Sequence, residues 1–406
     1  MINIDSESFL FVVLAAALAA FVAGLVSTRL PLPVVVLEVL LGILIGPDVL
    51  GLADPDAFLG FFSNLGLGML FFFAGYEIDF ERIRGNPLRL AVLGWLLSLV
   101  LAYSLGGLLT LTGLVLSLLF TGSALATTAI GTLIPVLSDA GELRTRFGTY
   151  LLGAGAVGEF GPILLITLVF STKGAAENAV ILVAFVVVAV LAALMAVRGV
   201  GRGWGLLDRT LETSGQLAIR ILVVMVFALG ALADSLGLDL LLGGFVAGVI
   251  ARVALQGREV AVLESKLAAV GYGFLIPFFF VVSGVKFDLA ALLDEPVRLL
   301  EVPLFLGLFL IVRGAPALLL YRGVLGSRDR AALAIFSATG LPLIVAITTI
   351  AVEDGHMRSA TAASLVGAGI LSTAILPVIG LRLRAGAPKD DEPLQIPDER
   401  VPVTSA

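Results

Sequence analysis

The sequence contains no cysteine and a single histidine, His356, among its 406 residues. Without cysteine there is no disulfide framework, thiolate metal site or thiol nucleophile, and one histidine excludes a histidine-cluster metal site. Charged residues make up only 14% of the chain, against about one quarter in ordinary soluble domains. These shortages predict a protein that is not an enzyme and that has no cofactor.

Hydrophobic residues are abundant instead, at 59% of the chain with a mean hydropathy of +1.11. Such a composition predicts an integral membrane protein that crosses the bilayer several times. The first eight residues, MINIDSES, lack the basic segment of a cleavable signal, so we expect the first apolar run to be retained. Its expected surroundings are lipid, and no nucleic acid is expected as a partner.

Apolar runs between charged or Gly/Pro-marked breaks predict about 13 membrane-spanning helices. Basic residues can check this count, because they concentrate on the cytoplasmic side. If the N-terminus is outside, most of the 25 basic residues fall in cytoplasmic segments; Lys173, Lys286, Arg298 and Arg358 fall outside, and Arg313 lies inside a span. The sequence therefore predicts an all-α protein of a prokaryotic inner membrane with a cytoplasmic C-terminus.

The two halves of the chain contain similar segments. FFFAGYEIDF at 71–80 resembles FFFVVSGVKFDL at 278–289, and LLGILIG at 40–46 resembles LGGFVAG at 242–248. Each pair is separated by seven predicted spans, an odd number, so the second copy is inverted. We interpret the chain as an inverted repeat, the architecture of many secondary transporters; chance similarity of Phe/Gly-rich text is the alternative.

This repeat defines the predicted domains. A transmembrane exchanger domain covers residues 1–382, and a disordered cytoplasmic tail covers 383–406. Within the domain, the first copy covers about 8–171, a linker helix about 177–198 and the second copy about 215–382.

Two of the predicted spans contain helix-breaking residues at corresponding places. The fifth reads FTGSALATTAIGTLIPVL and the twelfth reads IFSATGLPLIVAITTI. Small hydroxyl residues beside Gly and Pro can unwind a turn and satisfy the freed backbone groups. We predict discontinuous helices that form a binding site, with ordinary Pro kinks as the alternative. The residues at these breaks are Thr127, Thr128, Ser337, Thr339 and Gly340.

Glu159 is the one carboxylate in the apolar run 145–171, and it lies near the middle of the bilayer if that run spans it. An acid at this depth costs a few kcal/mol and indicates a functional site. Gly155 and Gly158 leave room beside it. Arg313, central in the eleventh span, is its predicted charge partner; a purely structural ion pair is the alternative.

A buried carboxylate beside a guanidinium can gain and lose a proton near the working pH. A proton and a monovalent cation, Na⁺ or K⁺, would then compete for Glu159, with the hydroxyls of Thr127 and Thr128 completing the ion's shell. If the site faces either side of the membrane only when occupied, this competition produces exchange. A membrane receptor or scaffold is the alternative from another class, although the predicted loops are short.

Two other residues carry weaker signals. Glu38 lies within the second span, where a structural or dimer-interface role and a coupling role are both open. His356 lies in a predicted loop, as an ordinary exposed histidine or a pH sensor. The glycine spacings at 42–46 and 244–248 favour close helix approach.

Five segments together resemble a known family: LPVVVLEVLLGILIGP, LGMLFFFAGYEIDFERIR, ATTAIGTLIPVLSDAGELRTRFG, GAGAVGEFGPILL and the Arg313 span. They are similar to monovalent cation:proton antiporters of the sodium/hydrogen exchanger superfamily, in particular its Kef-like branch, over nearly all of 8–382. The resemblance implies a core domain with two crossed, discontinuous helices, and a dimerisation domain against which it moves like an elevator. It also implies a homodimer that serves pH homeostasis, with Glu159 binding the ion, Arg313 as the basic residue and Thr127 and Thr128 at the unwound helix.

The chain also departs from this family. Relatives usually carry a polar residue where this sequence has Gly158. A single acid predicts electroneutral exchange of one proton per cation. The residues after 382 are too few for the nucleotide-binding domain of Kef-type proteins, so regulation of that kind is not expected within this chain. Kef-type potassium efflux, or channel-like flux, is the alternative within transport.

Overall fold

In the computed structural model, residues 5–26, 33–170, 175–236, 238, 240–256, 260–294 and 296–385 are described, and every regular element in them is helical. Residues 383–385, predicted to begin the disordered tail 383–406, are helical; the rest of that tail and Lys173 lie outside the described residues. The first nine α-helices are α1 (Ser6–Val26), α2 (Val34–Ile45), α3 (Ala57–Tyr76), α4 (Phe80–Ile83), α5 (Asn86–Leu111), α6 (Leu118–Leu125), α7 (Ile130–Asp139), α8 (Arg146–Phe170) and α9 (Ala175–Leu211). The other ten are α10 (Leu217–Ser235), α11 (Leu240–Leu255), α12 (Ala261–Val270), α13 (Ile276–Val285), α14 (Leu289–Leu293), α15 (Pro296–Phe309), α16 (Ala315–Leu320), α17 (Ser327–Ser337), α18 (Leu341–Glu353) and α19 (Ser359–Ala385).

Ten helical stretches of the described residues are long and apolar enough to cross a membrane. Three shorter apolar stretches accompany them: Val34–Ile45, Leu118–Ile134 and Leu241–Leu255. The 12 residues of α2 rise only about 18 Å, less than the roughly 30 Å of hydrocarbon. The protein is therefore an integral membrane protein with about ten spanning helices, and the count of 13, which includes the three short stretches, stays a prediction.

Two of the short helices pack closely because glycines remove the side chains at the contact. A Cβ on Gly42 of α2 would overlap the Val281 carbonyl and Gly284 of α13. A Cβ on Gly248 of α11 would overlap the Phe72 carbonyl of α3. The close approach predicted from the glycine spacings is confirmed at both places.

Both predicted helix breaks are present. Residues 126–129 separate α6 from α7, and residues 338–340 separate α17 from α18. Pro342 lies at the start of α18, where its missing N–H costs no hydrogen bond. Each break leaves the ends of two helices inside the protein.

Two single π-turns, which the sequence did not predict, interrupt other long helices. They cover Gly271–Leu275, between α12 and α13, and Leu310–Gly314, between α15 and α16. A proline follows each turn, Pro277 or Pro316, and cannot donate to the carbonyl four residues earlier. Such bulges often lie at functional sites, and these two carry Tyr272 and Arg313.

A buried ion-pair cluster holds one end of the bundle together, the end predicted to be cytoplasmic. Arg384 Nη2 lies 2.8 Å from Glu142 Oε2, and Arg384 Nη1 lies 2.5 Å from Asp329 Oδ1. The Arg384 guanidinium also lies over the Phe147 ring, 4.5 Å from its centre. This cluster joins the end of α19 to the α7–α8 connection and to α17, so it helps to keep the two breaks together.

Candidate functional site

The two helix breaks contact each other directly. The Ala129 N–H donates to the Thr339 carbonyl at 2.7 Å. The Thr128 hydroxyl donates to the Ser337 carbonyl at 2.5 Å. Backbone groups freed at one break are thus partly satisfied by the other, as a buried interruption requires.

Glu159 lies on α8 at the same level and is only 4% exposed. Its Oε2 accepts a hydrogen bond from the Ile130 N–H at 3.2 Å, and the Gly131 N–H is a second donor to the carboxylate. These groups are the first N–H groups of α7, which have no partner within the helix and carry the positive end of its dipole. The break therefore provides the favourable partner for an ionised Glu159.

Arg313 is equally buried but binds oxygens other than the Glu159 carboxylate. Its Nε donates to Thr128 Oγ1 at 2.8 Å, its Nη1 to Ser98 Oγ at 3.1 Å and its Nη2 to the Ala154 carbonyl at 3.1 Å. The role of Arg313 as the charge partner of Glu159 stays a prediction, although the salt bridges formed by the described residues do not include an Arg313–Glu159 pair. The reason is that each residue has other partners: helix N–H groups for the acid, and hydroxyls and a carbonyl for the base.

The glycines beside Glu159 stand at positions where a larger side chain would clash with its neighbours. A Cβ on Gly158 would meet Arg313 Nη2 and the side chain of Thr128. A Cβ on Gly155 would overlap Ile130, the first residue of α7. The prediction that these glycines leave room is confirmed, and the space is taken by the guanidinium and by α7.

Glu77 is a second carboxylate at this site, and the sequence reasoning missed it. It follows α3, and its Oε1 accepts a hydrogen bond from the Tyr272 hydroxyl at 3.2 Å. Its Oε2 is buried and has no hydrogen-bond partner among the described residues. A Cβ on Gly131 would lie 3.9 Å from this oxygen, so Glu77 also faces the start of α7. The available signal was an acid directly after the apolar run FFFAGY.

A small cavity lies between Glu77 and Ile130, with Leu152 and Ala156 of α8 on its opposite wall. Its volume of about 10 Å³ is close to the space that one water molecule needs. Asp79 also lines the cavity, and the nearby Glu159 carboxylate repels that of Glu77 electrostatically. The Glu77 and Glu159 carboxylates, the N–H groups of α7 and a cavity about the size of one water molecule can together hold a small cation or a proton.

The remaining predicted residues support the breaks. The Thr127 hydroxyl donates to the Ala124 carbonyl of its own helix at 2.9 Å. A Cβ on Gly340 would lie 2.7 Å from that hydroxyl, so the second break rests on the first. Thr339 Oγ1 is buried without a hydrogen-bond partner among the described residues. Ligand roles for Thr127 and Thr128 stay predictions.

Glu38 and His356 lie apart from these contacts. Glu38 is 3% exposed on α2, which packs on α1 and α13. His356 lies in the exposed connection before α19, and its ring stacks on Phe120 with centroids 5.4 Å apart. The roles considered for both residues stay open predictions.

Apolar helices of membrane-spanning length surround two helix breaks that contact each other, with Glu159 and Arg313 buried beside the first, an arrangement typical of secondary transporters. The family of the transmembrane sodium/hydrogen exchangers matches residues 16–382, and the chain belongs to this family. The narrower Kef-like assignment stays a prediction.

Individual relatives and one solved structure are similar to the chain. YjbQ of Bacillus subtilis (strain 168) is 25% identical over 369 residues, which cover 86% of this chain and 59% of YjbQ. The Na(+)/H(+)-K(+) antiporter GerN of Bacillus cereus is 27% identical over 291 residues, 68% of this chain and 71% of GerN. The chain thus spans less than two thirds of YjbQ.

Among solved structures, the sodium proton antiporter MjNhaP1 from Methanocaldococcus jannaschii, at pH 8, has a TM-score of 0.64 to this chain. The match covers 93% of this chain and 97% of MjNhaP1 at 18% sequence identity. At this identity the likeness shows a shared fold, the sodium/proton antiporter fold.

Proposed function

We propose that the protein is a secondary antiporter that exchanges a monovalent cation for protons across the membrane. The observation that carries this proposal is the pair of carboxylates, Glu159 and Glu77, at the start of α7 inside the membrane domain. The Glu77 Oε2 atom has no protein partner among the described residues, and it lies beside a cavity about as large as one water molecule. Such an oxygen is a ligand for either a proton or a small hard cation.

The exchange follows from competition at Glu159. When the carboxylate is ionised, the N–H groups of α7 and a bound cation stabilise it; when the cation leaves, a proton replaces it. Arg313 holds the break in place through its hydrogen bond to Thr128, and in this proposal it compensates the charge of Glu159 when the site is empty. The hydroxyls of Thr127 and Thr128 retain lone pairs that can complete the ion's shell.

The names of the relatives support Na⁺ as the transported cation. Several carry the name Na(+)/H(+) antiporter, and GerN is named for Na⁺ and K⁺. The sequence could not separate the two ions, because selectivity depends on cavity size and ligand number. Potassium efflux without proton counterflow has less support than exchange.

The wider architecture in this proposal is an inverted repeat that crosses the membrane 13 times, with N-terminus outside and C-terminus inside. Its support is the packing of the short helices. The repeat matches α2 with α11 and α3 with α13, and the close contacts are α2 with α13 and α3 with α11. Exchanging the two copies therefore turns one contact into the other. Crossing of the discontinuous helices, elevator-like movement and a homodimer complete the proposal.

The test is proton flux in proteoliposomes that contain the purified full chain, titrated with Na⁺, K⁺ and Li⁺. We expect cation-dependent proton movement in both gradient directions, and K⁺ flux without proton movement would contradict exchange. The same assay under an imposed membrane potential tests how many protons are exchanged for each cation. The electroneutral prediction assumed one acid, and Glu77 provides a second one that can release a proton. Flux that is independent of the potential would support one proton per cation, and flux that scales with it would support two.

A further inference from the structure

The largest cavity among those described has an almost entirely apolar lining and lies between α5, α8, α9 and α11. Its volume is about 510 Å³, within the roughly 300–1,000 Å³ of ligand pockets. Every side chain that lines it is apolar or absent apart from the indole N–H of Trp95. Water needs two to four polar partners to occupy a cavity, so water cannot fill this one.

The mouth of the cavity opens to the hydrocarbon of the bilayer. Val190 of α9, which lines it, is 52% exposed, and Leu96 of α5 on the opposite side is 48% exposed. Both lie on helices of membrane-spanning length, so the exposed surface faces lipid. The wall is thus continuous with the lipid-facing surface of the protein, and lipid is the apolar material in contact with its opening.

One polar group in the cavity lacks a partner. Trp95 lies over Gly161 of α8, where a Cβ would overlap the indole ring. The Trp95 Nε1 atom is buried and has no hydrogen-bond acceptor among the described residues. A buried donor without an acceptor is unfavourable, which points to an occupant that is mostly hydrocarbon and carries an acceptor. A lipid has both: its acyl chain, and the ester carbonyl at the head of that chain.

We propose that this cavity is a binding site for one acyl chain of a bilayer lipid. The acyl chain lies between α9 and α8, and α8 is the helix that carries Glu159. Phe160, the residue after Glu159, lines the cavity and stacks on Phe245 of α11, with ring centroids 4.3 Å apart. The bound chain therefore contacts both the helix of the proposed ion site and the helix packed against it. The binding itself does not depend on the proposed exchange.

The chain's own tryptophans provide the test, because it has only two, Trp95 and Trp204. In a Trp204→Phe variant, the fluorescence comes from Trp95 alone. The full chain is reconstituted into phosphatidylcholine bilayers whose acyl chains carry bromine, which quenches tryptophan on contact. We expect strong quenching of Trp95, and a loss of about half of that quenching or more when Ala189→Phe fills the cavity.

Three controls make the result decisive. Ala184→Phe introduces the same change on the exposed side of α9, and it should leave Trp95 quenching unchanged. Ala193→Phe fills the cavity from the next turn of α9 and replaces Ala189→Phe if that variant fails to fold, as judged by size-exclusion chromatography. A reporter at exposed Leu108, Leu108→Trp in a chain without the native tryptophans, should be quenched equally with and without Ala189→Phe.

Two results would overturn the proposal. If the filling variants leave Trp95 quenching as Ala184→Phe does, lipid reaches Trp95 only from outside the cavity. If Trp95 is not quenched while the Leu108→Trp reporter is, the cavity is closed to lipid, for example by a second copy of the chain. Both readouts are independent of ion transport, so inactivity of the protein as an antiporter would not affect them.

Discussion

At the first helix break, residues 126–129, α7 begins beside the carboxylates of Glu159 and Glu77, whereas at the second break, residues 338–340, α18 begins beside a hydroxyl and aliphatic groups. Both breaks leave N–H groups of a helix start inside the protein. Only the first combines them with acids among the described residues. A helix start alone attracts anions, and an acid is needed before a cation or a proton can bind there.

Under the proposed inverted repeat, the residues that correspond in the two halves account for this difference. The match of FFFAGYEIDF with FFFVVSGVKFDL places Lys286 opposite Glu77. GAG at 153–155 and GAG at 367–369 likewise place Thr373 opposite Glu159. Under the proposed repeat, each acid of the first break thus corresponds in sequence to a cationic or neutral residue in the second half of the chain. Both halves contain a helix break, but among the described residues only the first break has carboxylates that can bind an ion.

The largest expected effect comes from removing Glu159, the most deeply buried acid of the first break. Glu159→Gln keeps the shape of the side chain but cannot bind a proton and a cation in turn, so we expect cation-dependent proton flux in inverted vesicles to fall to background. Glu353→Gln changes an exposed carboxylate at the end of α18; it is the matched control and should retain normal flux. Unchanged flux in Glu159→Gln would remove this residue from the transport site.

The second-largest effect is expected from crowding the packed side chains at the first break. Gly158→Ala places a methyl group against Arg313 Nη2 and Thr128, so one of them must move, at a cost of about 1–3 kcal/mol. We expect a lower thermal midpoint together with reduced flux. Gly153→Ala is the control, because its Cβ would lie 3.4 Å from the nearest atom and needs little adjustment. Equal midpoints for both variants would show that the space at Gly158 is not tight.

Sequence patterns predicted those parts of the site that local chemistry determines. Glu159 and Arg313 stand out because a charge inside a long apolar run is costly, and the breaks stand out because Gly, Pro and hydroxyl residues cluster there. The partners of Arg313 could not be read from the sequence, because they come from α5, α8 and the α6–α7 connection, which meet only in three dimensions. Glu77 was missed because it lies two residues before Asp79 and close to other charged residues, where an acid is typical of a membrane surface.

A moderate effect is expected from the second acid. Glu77→Gln keeps the bond from Tyr272 but removes a full negative charge from the cavity, so cation binding should weaken. We expect the Na⁺ concentration for half-maximal flux to rise about tenfold, which corresponds to about 1.4 kcal/mol. Glu81→Gln, an exposed acid four residues later, should leave this concentration unchanged. A Glu77→Gln variant with normal Na⁺ dependence would mean that Glu159 binds the cation without it.

The smallest effect is expected at the counterpart of Glu77. Lys286 lies 3.8 Å from Glu353, and the two side chains are 37% and 65% exposed. Solvent-exposed pairs of this kind contribute about 0–1 kcal/mol, so Lys286→Met should shift the thermal midpoint little and leave the Na⁺ dependence of flux unchanged. A Lys286→Met variant whose Na⁺ dependence changed as strongly as that of Glu77→Gln would mean that the second half also binds the ion, and the contrast between the two breaks would no longer hold.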